Sequence, residues 1–201
     1  MPTTPAGILQ GCPSGGTFSG QVNPGVYSCT GSITFSASAS SCPGGQTVCI
    51  NYTGSGSTVN GGKVQIFDWP DSKGQTNINM SGAVVNLYDQ NSATPGCDGT
   101  GGYECGDPTA LQVFSSGSGP VVVGNGANAA TFDGILYAPD MSMTVNGGQL
   151  LWIGKFTVNQ VTVDGNPNFS VHYDPRLGGV AQPTWQVKNF SVVPPSTFSL
   201  P

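Results

Sequence analysis

From residue 134 to residue 174 the chain reads GILYAPDMSMTVNGGQLLWIGKFTVNQVTVDGNPNFSVHYD, and its apolar positions come in runs of only a few residues. The runs fall at 135–137, 141–145, 150–153, 158–163 and 169–173, with Gly, Asn, Asp or Pro in nearly every gap. No gap is long enough for a crossover helix, so strands this short at this spacing suit a sandwich, a barrel or a coil of parallel strands. The turn phrase TVNGG occurs twice, at 58–62 before KVQIF and at 144–148 before QLLWI. An identical turn leading into an apolar strand suggests one structural unit used more than once.

Further strands are predicted at 25–29, 33–37, 48–52, 63–69, 83–88, 111–114, 121–123 and 185–193. Two of them end in an aromatic residue followed by Asp, Phe67-Asp68 and Tyr88-Asp89, as does the run closing on Tyr173-Asp174. Strand starts recur after roughly 16–25 residues, a plausible rung for a solenoid. No stretch carries a helical period of apolar residues. The expected fold is therefore all-β: a right-handed parallel β-helix or β-solenoid with disulfide-stapled loops over 55–178. Residues 1–54 are expected as an N-terminal disulfide-containing cap, and 179–201 as a terminal strand and Pro-rich tail. An antiparallel β-sandwich is the alternative, since the alternation at 32–37 would suit it.

Composition sharpens this picture. Charged residues are 7% of the 201, against the usual quarter or so. Hydrophobic content is 37%, with nine Phe, six Tyr and three Trp, which is enough to fold. The polar surface must then be made of Ser, Thr, Asn, Gln and Gly. A net charge of −5 excludes a phosphate-binding footprint and attraction to an anionic membrane surface.

The six cysteines lie in three close pairs, and closing the shortest loops gives Cys12–Cys29, Cys42–Cys49 and Cys97–Cys105. Zinc is the rival reading, but no CxxC or CxH spacing exists and His172 is the single histidine. Disulfides imply an oxidising compartment. No signal peptide or transmembrane run is visible, so an exported protein would need a signal or anchor lying outside this chain, and a truncated ectodomain is expected. Sequons occur at Asn51, Asn79, Asn168 and Asn189.

A family likeness is carried by Val84-Val85-Asn86-Leu87-Tyr88, Ala110-Leu111-Gln112-Val113-Phe114, Gly134-Ile135-Leu136-Tyr137-Ala138-Pro139, the TVNGG at 144–148, Ile153-Gly154 and Val171-His172-Tyr173-Asp174. This order of motifs, over about residues 55–178, resembles a β-helical domain found C-terminal to the prepilin-like segment of type IV pilus-associated proteins and in related bacterial surface and adhesin-type proteins. The resemblance implies an exported structural or adhesive domain, partnered by other pilus or surface subunits and by a glycan or host surface. It implies no catalytic residues and no cofactor. The first 50 residues and the six cysteines fall outside the motif.

Candidate chemistry is sparse. A glycosidase or polysaccharide lyase on a β-helix would need paired carboxylates, and Asp133, Asp140, Asp164 and Asp174 are the nearest set. Each adjoins Gly, Pro or a strand end, where Asp ordinarily accepts backbone hydrogen bonds. Lys155 and Arg176 are the only nearby cations for an acidic sugar. His172 with Asp174 lacks any nucleophile elbow. The loop CDGTGGYECGD offers Asp98, Glu104 and Asp107 as weak calcium ligands, without the alternating acids of an EF-hand. Trp69, Trp152 and Trp185 are candidate ligand-stacking residues, although most Trp simply fill cores. Threonine-rich strands such as 157–158 and 162–163 raise ice binding, but the threonines recur at no fixed sequence spacing.

Overall fold

The computed structural model describes residues 9–38, 42, 46–50, 63–86, 108–124, 130–165, 168–173 and 177. Their strands fall in triplets. The first comprises β1 (Leu9–Gly11), β2 (Thr17–Phe18) and β3 (Gly20–Val22), and the second β4 (Gly25–Thr30), β5 (Ser32–Phe35) and β6 (Val48–Ile50). The third comprises β7 (Val64–Trp69), β8 (Asn77–Asn79) and β9 (Val84–Val85). Then come β10 (Leu111–Ser115) and β11 (Gly119–Val123), the long strands β12 (Ala130–Asn146) and β13 (Gln149–Asp164), and β14 (Asn168–His172).

Every strand pairing among the described residues is parallel, which removes the antiparallel sandwich. The pairings form three ladders within one curled sheet. The first joins β1, β4, β7, β10, then β12 at Ile135–Tyr137 and β13 beyond it. The second joins β2, β5, β8, β11, then β12 around Met141–Val145 and the end of β13. The third joins β3, β6, β9, the start of β12, the start of β13, and β14. The chain visits the ladders in this order each time, so each strand lies against the equivalent strand of the next triplet.

Period-two alternation decides what faces inward. In the first ladder Tyr27, Ile66, Val113 and Leu136 are paired neighbours and buried. Ile33, Ile78, Val121 and Met143 do the same in the second, and Val48, Val85, Phe132 and Trp152 in the third. Aromatic rings link these columns through the interior. Phe18 stacks on Phe35 at 5.7 Å and Phe35 meets Phe132 edge-on at 5.7 Å. Phe132 lies 4.5 Å from Trp152, which meets Phe156 at 5.2 Å. An apolar void of about 10 Å³ between Phe18, Phe35, Val48, Ile66 and Leu111 sits at the lower limit for a single water.

The described strands of the region 1–54, expected as an N-terminal cap, form the first two triplets of the same ladders, and β4 pairs directly with β7. The two TVNGG phrases do not mark equivalent positions. The strand after the first is β7, in the first ladder, whereas the strand start after the second, Gln149, pairs with Asn168 in the third. At the second copy Gly147 and Gly148 take φ of 66° and 69°, a tight left-handed turn, whereas the first copy lies outside the described residues.

Candidate contact faces

Disulfides fix the early strands. Cys12, just past β1, bonds to Cys29 in β4 with Cα atoms 4.8 Å apart, tying neighbouring strands of the first ladder. Cys42 bonds to Cys49 in β6. Cys97–Cys105 and the calcium candidates Asp98, Glu104 and Asp107 lie outside the described residues.

The candidate carboxylates are not brought together. Asp133 is enclosed where β12 passes from the third ladder to the first, and its backbone oxygen accepts from Asn86 Nδ2 at 3.1 Å. Asp140 is exposed at the register shift between the first and second ladders. Asp164 is exposed at the end of the second ladder, where its Oδ1 accepts from the Gly165 amide at 2.8 Å. Asp174 and Arg176 lie outside the described residues. His172 pairs in register with Ile153 on β14 and is half-buried.

Asp68 is placed differently from its reading as a strand end. It lies within β7 and faces inward, between Cys29 and Ser115 of the adjoining strands, with 0% exposure. Ser115 Oγ donates to its Oδ2 at 3.5 Å, and Oδ1 has no partner. Ser115 Oγ also lies 3.1 Å from Thr76 Oγ1, which is 3.4 Å from Met141 Sδ. Burial pushes the Asp68 carboxyl up to about 7, with the Ser115 hydrogen bond opposing the rise. Enclosed beneath the sheet, this group cannot meet a substrate.

Of the candidate tryptophans, Trp152 is 0% exposed between Phe132 and Phe156, so it is core and not a ligand platform. Trp69 is half-buried on the outside of the first ladder, 6.5 Å from Phe67, and Phe67 stacks on Phe114 at 5.0 Å. Beside this stack Gln65 Nε2 donates to Gln112 Oε1 at 2.9 Å. The rings of that stack lie against one another, and the amides bond across strands, so most of their recognition capacity is used internally. Trp185 lies outside the described residues.

The outer face of the second ladder is of another kind. One column follows Ser32, Asn77, Pro120, Ser142 and Gln160. The column two residues along follows Thr17, Thr34, Asn79, Val122, Thr144 and Thr162. All are exposed or half-buried, and none carries a charge. The side chains between the two columns, Ile33, Ile78, Val121 and Met143, are fully enclosed, so alternation alone turns the polar set outward. The sequence concealed this face because loops of different length separate the threonines; only the register brings them into line.

A domain family of unknown function, DUF7305, matches residues 19–180, and the chain belongs to that family. No curated protein and no solved structure matches the chain. The family match begins within the early strands and spans all three ladders through β14, so the N-terminal strands from β3 onward belong to the same unit as the motif-bearing ones. Among the described residues no helix is long and apolar enough to cross a membrane.

Proposed function

We propose that this chain is a three-sided, right-handed β-solenoid that serves as a non-catalytic, exported surface domain, a structural or adhesive component of a pilus or cell surface. The observation that carries the reading is the outer face of the second ladder, where two uncharged columns of hydroxyl and amide side chains, interrupted on β11 by Pro120 and Val122, run across successive strands. Parallel pairing in three ladders visited in constant order supports the solenoid, since each triplet then advances the chain by one strand spacing. Two disulfides support export, because such bonds persist in oxidising compartments. The likeness to pilus-associated domains supplies the setting.

A carbohydrate-active enzyme is the weaker reading. Its two carboxyls would have to flank one sugar bond within about 10 Å, and Asp133, Asp140 and Asp164 stand at three different passages between ladders. Electron microscopy of producing cells, with antibody raised against this domain, tests the proposal. Label along or at the tip of surface filaments, or over the cell envelope, is expected. Recovery only as a free secreted monomer that depolymerises a polysaccharide would defeat it.

A further inference from the structure

We infer that the outer face of the second ladder binds the surface of ice. The inference rests on the contact-face part of the proposed function and not on its pilus association. Two columns of outward residues run side by side: Thr17, Thr34, Asn79, Val122, Thr144 and Thr162 in one, Ser32, Asn77, Pro120, Ser142 and Gln160 in the other. Backbone geometry sets both repeats, about 4.8 Å between strands and about 6.6 Å between alternate residues of one strand. A two-dimensional array with fixed repeats can be matched only by a partner that is itself periodic.

Charge narrows the choice. Neither column holds an acid or a base, although the chain as a whole carries −5. Within the two columns an ionic polymer, an acidic glycan or a basic peptide would find nothing to pair with; Asp164, in register with Asn146, is a carboxylate at the edge of the face. The outer face of the first ladder differs: it carries Lys155 and the half-buried rings of Phe114 and Trp69. Threonine suits a water lattice because its branched side chain is stiff at χ1 and presents a methyl beside a hydroxyl. The groups are thus ordered before contact, which removes much of the entropy cost of immobilising them. Two of the amides are already held, Asn79 Oδ1 by the Ser81 amide at 3.0 Å and Gln160 Nε2 by Thr162 Oγ1 at 3.5 Å. Any one hydroxyl–water bond is weak, so affinity must come from many sites engaged together.

The test uses the oxidised, purified chain in ice-affinity partitioning, with inhibition of ice recrystallisation as a second readout. Wild type should be taken up into growing polycrystalline ice and should hold crystals small. Thr144→Lys places a charge in the array, between Val122 and Thr162, and should abolish both effects. Gln112→Lys, which places a charge on the first ladder's outer face, should leave both intact. Circular dichroism and non-reducing mass mapping confirm that each variant is folded. Exclusion of folded wild type from ice, equal uptake of Thr144→Lys, or retention on cellulose in place of ice would each overturn the inference. Those results would leave cell-surface labelling, and with it the proposed function, to stand or fall on its own.

Discussion

The strands before residue 124 and those after residue 130 make the same ladders by different means. From β1 to β11 each ladder receives a separate strand of two to six residues, and the passages between ladders use turns, loops and the two disulfides. By contrast β12 and β13, with 17 and 16 residues, each pass through all three ladders without a break in strand structure. What replaces the loop is local backbone licence. Gly134 pairs with Gly154 between the third and first ladders, and a register shift between Ala138 and Ser142 separates the first from the second. Glycines turn early corners as well, Gly31 with φ of 89° standing alone between β4 and β5, so the early strands differ in being broken at their corners and in adding disulfides to them.

The largest effect should come from breaking such a corner. Gly154 has φ of 114°, and a Cβ there would run into the Gly134 carbonyl oxygen and meet Pro108 at 3.2 Å. Gly154→Val adds backbone strain to a clash between packed strands, and should cost more than about 4 kcal/mol or prevent folding. Thermal unfolding checks this. A melting temperature equal to wild type would mean that the late corners are not tight.

Next is Asp68, the point where an early strand carries an acid into the core. Its carboxyl ionises near 7 in the folded chain and near the ordinary 3.8 when unfolded. The folded state thus holds more protons between these values, so this group's contribution falls as pH rises from about 4 to about 7, and is level above that. The full span is at most about 4 kcal/mol. Denaturant unfolding of Asp68→Asn should show a weaker decline over that range and higher stability than wild type at pH 7.5. An unchanged pH profile would refute the buried-acid account. Asp71 works in the opposite sense, its carboxyl lowered by the Gln75 and Lys73 amides, but it lies on the surface and should be a minor influence.

Removing the Cys12–Cys29 staple sharpens the contrast most directly. Cys12→Ser with Cys29→Ser opens a loop of sequence separation 17 and should cost about 3 kcal/mol through the unfolded state. Hydrogen exchange should show lost protection in β1 and β4 and retained protection in β12 and β13. Uniform loss throughout would mean that early and late rungs form one cooperative unit.

Much of the fold was legible because Val, Ile and aromatic residues dominate strands such as β4, β7 and β13, while Gly and Pro punctuate them. β2, β3 and β8 were not, since two or three residues carry no period; Asn77-Ile78-Asn79 reads as a turn until Ile78 is seen between Ile33 and Val121. Pro139 and Asp140 read as a break in β12, yet they fall in the register gap where no ladder hydrogen bond is demanded of a proline. The boundary at residue 54 was read from where the family motifs begin, which does not follow the continuity of the core, since β4 pairs with β7. For the contact face, sequence supplied the residue types but not the alignment.

The unequal rungs also bear on how the chain reaches this structure. Ala130 finds its ladder partner Leu150 only 20 residues on, whereas Val64 must find Leu111 across 47. Closing a shorter loop costs less entropy, and the separation is shorter still at the N-terminus, where Leu9 pairs with Val26 and Thr17 with Thr34, each 17 residues on. Pairing should therefore begin near both ends of the ladders and close the long span between β7 and β10 last. A polypeptide emerging N-terminus first would pair β1 with β4 early, bringing the thiols of Cys12 and Cys29 together before the later strands arrive.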